Sequence, residues 1–447
     1  MLAGTLYLPE RAMVDIPVFP NLDKDLLPPL AILVFGGLFG KRLLRQAKLD
    51  RMSKLLILAL VVTNVARAFL NSDPIIANGY FAAASISKHT AITFILTDLI
   101  SYVVPFMLGI ALAHRRDWFV DSTRMWLWFG VVYGVLIMLE ARLSPQLHRW
   151  IYGYLQHSFL QLMRGGGFRP IVFMNHALEV ALYASTTAIL AVMLYKRKVR
   201  SVKHIGFITA YLCILPILCK SSASIIYLAV GATAILLLAP RLQLYLAGAL
   251  GGLVILMPLV HLSGAFPSEE IIDYATRLTN EERAASLAYR FKNDDDLVRQ
   301  TLQRPYFGWG GFSRGWIYND DGTSWTVVDG AWIIALNDRG IIGYLAHFGL
   351  FLWPLFKAMR APLAGVTREA RGLIAGVAVV LGFCSFDLLM NGMFNAFSFF
   401  FAGVLLGLLN APWIRLDPRM ARSPSGRPLP RTAVVPAQLP SVRPAPH

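Results

Sequence analysis

The chain has 447 residues, of which 56% are hydrophobic and only 15% charged, with a formal net charge of +16. Soluble domains carry about 25% charged residues, so the composition excludes an ordinary soluble enzyme and points to a membrane. Nucleic-acid binding is excluded as the reason for the positive charge, because the Lys and Arg fall mostly in short links between apolar runs and are not interleaved with aromatics on a polar domain.

Taken in chain order, the first 20 residues (MLAGTLYLPERAMVDIPVFP) lack the long apolar core of a cleavable signal peptide, so the first span is expected to act as the insertion signal. Apolar runs, each able to cross a ~30 Å hydrocarbon core, predict spans at 25–41, 55–70, 91–113, 124–141, 172–195, 205–219, 223–239, 243–262, 341–358, 372–390 and 396–413. The expected fold is therefore all-α: a polytopic helical membrane protein of about 11 transmembrane helices with one large extracytoplasmic loop. The expected divisions are an N-terminal transmembrane bundle over 1–262, a catalytic loop over 263–340, C-terminal spans over 341–413 and a disordered cytoplasmic tail over 414–447. Cys213, Cys219 and Cys384 lie inside apolar runs and read as small apolar side chains, without metal spacing or a disulfide framework.

Basic residues cluster in the links 41–54 and 196–204 and recur at Arg115, Arg116, Arg124, Arg241, Lys357, Arg360, Arg368 and Arg371. With this span count they share one face, which the charge rule makes cytoplasmic. The opposite face then carries the longer segments 71–90, 142–171 and 263–340.

Ionisable groups inside a bilayer are costly and are functional candidates. Arg67, Asp98, Glu140, His176, Glu179, Lys220 and Asp387 all fall toward the ends of spans on the face with the long segments. Together they predict a polar cavity opening outward; taken singly, each also suits a helix end anchored at the interface. His176 and Glu179, three residues apart and so on one helix face, read as a pair positioning an acceptor or as a local polar pair.

In the largest segment, EERAASLAYRFKNDDDLVRQTLQ has apolar positions at helical spacing and predicts amphipathic helix. The glycine-dense RPYFGWGGFSRGW follows; it lacks the Gly-Lys-Ser/Thr ending of a phosphate-binding loop. The arginines, among them Arg290 and Arg339, suit bidentate grip of phosphate oxygens, and the carboxylates suit proton acceptance from a sugar hydroxyl. The run Asp294 to Asp296 reads as a solvated acidic helix face or as ligands for a divalent cation. Trp309, Trp316, Trp325 and Trp332 are candidates for stacking on sugar rings or for interfacial anchoring.

The many-span layout, the late outer loop and the text ERAASLAYRF…LVRQTLQRPYFGWGGFSR…TVVDGAWIIALNDRGIIG resemble the O-antigen ligase and Wzy-type O-antigen and exopolysaccharide polymerase superfamily of bacterial membrane glycosyltransferases, as does GGGFRPIVFMNHALEV at the fifth span. Ligases of this superfamily carry His, then Asn, Ser or Gln, nine residues, Gly, two residues, Gly, and Gly, Thr or Tyr. Here Asp329 and Gly330 precede nine residues, then Gly340, Ile341, Ile342, Gly343 and Tyr344, so Asp329 stands where ligases have their catalytic His.

The resemblance implies an inner-membrane enzyme whose active site faces the periplasm and which polymerises undecaprenyl-diphosphate-linked glycan by metal-independent inverting displacement, without a cofactor. Asp329 is the implied catalytic base. Arg169 and Arg290 are the implied diphosphate grip, joined by Arg67, Lys220 and Arg339, with His176 and Glu179 positioning the acceptor. Implied partners are undecaprenyl-diphosphate-linked oligosaccharide, a glycan acceptor, membrane lipid and further polysaccharide-assembly proteins such as a chain-length regulator. Two alternatives stand beside this: a ligase passing glycan to lipid A core or another acceptor, and a lipid-linked oligosaccharide transporter (flippase). A transporter would place polar groups near the bilayer midplane in paired repeats, and no inverted repeat is visible. From the residues alone, Asp329 also suits capping of the helix after it.

Overall fold

The computed structural model describes all residues except 39–44, 78, 165, 198–202, 279–280, 312, 320–322, 325, 327 and 416–447. The described chain is mostly helical. In order it forms α1 (Leu2–Tyr7), α2 (Leu27–Leu38), α3 (Arg51–Leu70), α4 (Thr90–Ala113), α5 (Arg116–Leu143), α6 (Leu147–Tyr152), α7 (Ala177–Lys196), α8 (Ile205–Leu218), α9 (Ser222–Leu237), α10 (Pro240–Leu262), α11 (Ser268–Leu278), α12 (Glu281–Thr301), α13 (Ala331–Arg360), α14 (Arg368–Asp387) and α15 (Ala396–Asn410). Seven of these (α3, α4, α5, α7, α10, α13 and α14) are long and apolar enough to cross a membrane. At the other four expected positions α2, α8, α9 and α15 are apolar but shorter.

The structure corrects the all-α expectation in a small way. Two antiparallel hairpins occur, β1 (Ile75–Ala77) with β2 (Tyr80–Ala83) and β3 (Met163–Arg164) with β4 (Gly167–Phe168). Both lie in the long links, where turn residues leave backbone groups that must pair locally.

α7 and α14 are buried along nearly their whole length, while α3, α5 and α10 expose apolar faces such as Leu55, Leu58 and Val62, or Met125, Trp128 and Val132. Apolar faces of this extent suit lipid, not water. One core joins residues from the N-terminal and C-terminal spans, so 1–262 and 341–413 are not separate packing units. α4 and α15 cross where Gly109 and Gly403 face each other; a Cβ on either would strike the other helix's backbone, the small-residue contact that lets membrane helices approach closely.

The two ends of the bundle differ. At one end the turns are short and linked by ion pairs: Lys357 Nζ meets Asp50 Oδ2 at 2.9 Å and Arg116 meets Glu369 at 2.8 Å. At the other end the long segments interlock. Arg304 bonds Asn71 Oδ1 at 2.5 Å and Asp73 Oδ2 at 2.6 Å, and Arg314 donates to the carbonyls of Asp73 and Ala84, tying 71–90 to the glycine-rich segment.

That segment repairs a break in α13. Gly340 takes φ 63°, in the left-handed region, and interrupts the helix. The N–H groups of Ile341 and Ile342 donate instead to Pro305 and Tyr306, and the carbonyls of Asn337 and Asp338 accept from Trp309 and Gly310. Gly308, at φ 68°, lies so close that a Cβ would sit 2.5 Å from the Gly340 nitrogen. The expected boundary at 340 is thus a kink inside one long helical element.

Two further corrections concern ends. The fifth helix starts at Ala177, not 172, because Glu140 accepts the N–H groups of Ile171 (2.9 Å), Val172 (2.7 Å) and Leu147 (3.0 Å) and holds Val172 at φ 52°. That conformation is unusual for a β-branched residue, so Glu140 is a backbone clamp and not a cavity group. At the C-terminus, Ile414 is buried and its carbonyl accepts from Thr367 at 2.8 Å, so the packed chain extends to Arg415. The tail expected beyond it lies outside the described residues.

Candidate active site

Two adjoining cavities lie among the N-terminal stretch, α4, the first turns of α13 and the link before α15. Chamber one, about 330 Å³, is lined by the carboxyl-bearing residues Glu10, Asp25, Glu179 and Asp338, with Asn175, Tyr102, Arg339 and His347. Chamber two, about 430 Å³, is lined by Arg67, Asp23, Asp25, Asp98, Thr93, Thr97 and Ser101. Asp25, Tyr102, Arg339 and Phe394 line both.

Local sequence explains how these groups arrive. Ala331, Ile334, Ala335 and Asp338 recur at helical spacing, so the first turns of α13 present one face to chamber one. The Gly340 kink then turns Arg339 onto Asp98, which it grips with two bonds of 2.6 and 2.8 Å. Asp98 immediately precedes a π-helical turn over Leu99–Val103 that carries Ser101 and Tyr102 into the cavity, a distortion frequent at functional sites. Asn64 completes the Asp98 shell at 2.7 Å.

The expected base, Asp329, and one of the expected diphosphate arginines, Arg290, do not line chamber one but lie beside it. Arg290 Nε, from α12, meets Asp329 Oδ2 at 2.9 Å, with both side chains partly exposed. Asp329 does not cap α13: Gly330 holds that position and no side chain caps the helix. Neighbours of Asp329 line the chamber, namely Ala331 and also Gly392, where a Cβ would sit 3.3 Å from the Asp329 carbonyl oxygen. Asp294, on the same helix as Arg290, is pushed up to about 7 by burial, with the Asp329 carboxylate adding to the rise.

The five expected cations do not form one cluster. Arg67 and Arg339 line chamber two, and Arg339 is already neutralised by Asp98. Lys220 donates to the Arg164 carbonyl at 3.2 Å on the β3–β4 hairpin. Arg169 is buried, with Nε and Nη2 unpartnered among the described residues; burial first, then Arg164, lowers its pKa. The charges of Arg169 and Arg290 both bear on His176.

His176 and Glu179 do not act as a pair. His176 is the N-cap of α7, its Nδ1 accepting from Leu178 N at 3.0 Å, and its ring packs on His157. Glu179 accepts from Asn395 at 3.0 Å and faces chamber one. Other expectations also dissolve into packing. Trp309 and Trp332 are buried, the latter stacked on His261, which removes them as exposed sugar platforms; Trp325 lies outside the described residues. Asp295 pairs with His261 at 2.7 Å and Asp296 with Arg299 at 3.6 Å, so the acidic run diverges to separate partners. Asp387 accepts from Tyr227 and Asn391, tying α9 to α14.

Sequence reasoning missed Glu10, Asp25 and Asp338. Burial raises the Glu10 carboxyl to about 7, against the pull of Lys24, whose ammonium bonds it at 2.5 Å; the Glu179 and Asp23 carboxylates add to the rise. A carboxyl with that value is poised for proton transfer at neutral pH. No protein-family model matches the chain and no curated protein matches it significantly.

Proposed function

We propose that the protein is a membrane glycosyltransferase of polysaccharide assembly in the bacterial inner membrane, acting on a glycan linked to undecaprenyl diphosphate at the extracytoplasmic face. The observation that carries this reading is the Arg290–Asp329 pair at the edge of a polar chamber within an apolar bundle. Arg290 meets Asp329 through Nε and its side chain is 42% exposed, so its terminal nitrogens are assigned to a phosphate. Arg169, buried with unpartnered nitrogens and, like Arg290, acting on His176, is assigned the second positive charge.

In this mechanism the diphosphate of the donor lies against Arg290 and Arg169, and the glycans occupy the chambers, whose carboxylates accept bonds from sugar hydroxyls. An acceptor hydroxyl attacks the anomeric carbon. Its proton passes to Asp329 while the bond to the diphosphate breaks and the electron pair leaves with the phosphate oxygen. The arginines counter the charge that develops there. A single displacement inverts the anomeric centre. Polymerisation is favoured over ligation because an Asp stands where ligases of the resembled superfamily have His.

The test is a vesicle assay with lipid-linked repeat units, comparing the native chain with Asp329→Asn. A loss of at least ~100-fold in chain extension is expected, typical of removing a general base. Extension at the native rate in the variant would remove Asp329 from the mechanism.

A further inference from the structure

We infer that chamber two holds a subsite for an anionic sugar, recognised by Arg67, and that the glycan handled by this protein carries a carboxylate or phosphate group. The inference deepens the glycosyltransferase reading and rests on it for the word glycan; the anion subsite rests on the geometry alone.

Arg67 is 6% exposed, yet among the described residues its side chain makes no ion pair or hydrogen bond, and its Nε is buried without an acceptor. Its guanidinium carbon lies 3.6 Å from the centre of the Phe94 ring. Burying a charge without a partner is costly, and a cation–π contact offsets only part of that cost. The two carboxylates whose charge bears on it do not relieve it: Asp98 is committed to both terminal nitrogens of Arg339 and to Asn64, and Asp338 makes no ion pair with it among the described residues. Asp23, also on the chamber wall, has Oδ1 occupied by the N–H groups of Asp25 and Leu26.

Arg67 lines a cavity of about 430 Å³. With its face taken by Phe94, the guanidinium offers its in-plane N–H edge, the geometry that grips a carboxylate or phosphate. The remaining wall is suited to a sugar. Tyr102 and Ser101 supply hydroxyls, and Thr93 and Thr97, whose hydroxyls donate to backbone carbonyls, keep oxygen lone pairs to accept from sugar hydroxyls.

Purified full-length protein in neutral phosphatidylcholine nanodiscs is titrated with methyl glucuronide, methyl glucoside, glucose 6-phosphate and inorganic phosphate. Binding of the glucuronide or the sugar phosphate at least 10-fold tighter than the glucoside is expected, with that ratio lost in Arg67→Gln and kept in Arg116→Gln at the short-turn end. Equal binding of charged and neutral sugars, or a ratio unchanged in Arg67→Gln, overturns the subsite. Inorganic phosphate binding as tightly as the sugar phosphate overturns its assignment to a sugar. Should Arg67→Gln not fold, Arg67→Lys and Tyr102→Phe serve: each must lower the ratio at least threefold, and no change in either overturns the inference. The readout needs no turnover, so inactivity in the vesicle assay counts against the enzyme reading and not against the subsite.

Discussion

Two arginine–aspartate pairs flank the first turns of α13 and sit in opposite surroundings. At its start, Arg290 Nε lies 2.9 Å from Asp329 Oδ2, with side chains 42% and 35% exposed. Ten residues on, Arg339 grips Asp98 through two bonds with exposures of 14% and 2%. The same chemistry therefore serves two ends. An exposed pair contributes about 0–1 kcal/mol and exchanges partners readily, which suits a site where a phosphate must displace a carboxylate. A buried, bidentate pair cannot lose one member without stranding the other, which suits a strut between α4 and α13.

The strut should give the largest effect. Arg339→Ala is expected to destabilise the protein by about 3–5 kcal/mol by leaving Asp98 buried without its partner, read as a fall in melting temperature in detergent. Replacing both members with apolar residues should recover most of that loss. A variant Arg339→Ala that melts like the native protein would erase the contrast.

Glu10 gives an intermediate case. Its carboxyl rises from an ordinary 4.5 to about 7 on folding, worth about 3 kcal/mol at one pKa unit per 1.36 kcal/mol. Between those values the folded state holds a proton that the unfolded state has released. Stability should therefore fall as pH rises from about 4.5 to about 7 and level off above. Glu10→Gln should flatten that slope in melting temperature against pH; an unchanged slope would assign it to other groups.

Gly340→Ala should cost about 1–3 kcal/mol from the left-handed backbone alone, with more from contact with the Phe307 nitrogen, which a Cβ would approach to 2.5 Å. The smallest change in stability should come at the exposed pair. Arg290→Lys should move stability by less than about 1 kcal/mol while lowering transfer, because an ammonium cannot hold carboxylate and phosphate on one planar fork. A stability loss as large as that of Arg339→Ala would mean the two pairs do the same work.

Much of this was legible in the sequence, for identifiable reasons. Apolar runs placed an apolar helix at each of the eleven expected positions, because hydrophobicity over about 20 residues is a strong signal; four of those helices came out shorter than the runs implied. Arg290 and Asp329 were assigned to one site by the family resemblance and not by any spacing in the sequence, and their side chains do meet. Partner choice was not legible. Glu140 looked like a cavity carboxylate and serves three backbone N–H groups. His176 looked like half of a polar pair and instead caps α7 through Nδ1, a role its residue type does not announce. Glu10 and Asp25 escaped because nothing in an irregular N-terminal stretch says which cavity it will line, and Asp338 because the Gly340 kink that turns Arg339 away is invisible in the spacing.

The account as a whole requires the long segments to face outward. Single cysteines at Lys292, exposed on α12, and Arg360, exposed at the short-turn end, can be probed in intact cells with a membrane-impermeant maleimide. The account predicts that Lys292→Cys reacts without permeabilisation and Arg360→Cys only after it. The reverse order would place the Arg290–Asp329 pair in the cytosol and contradict the proposed chemistry.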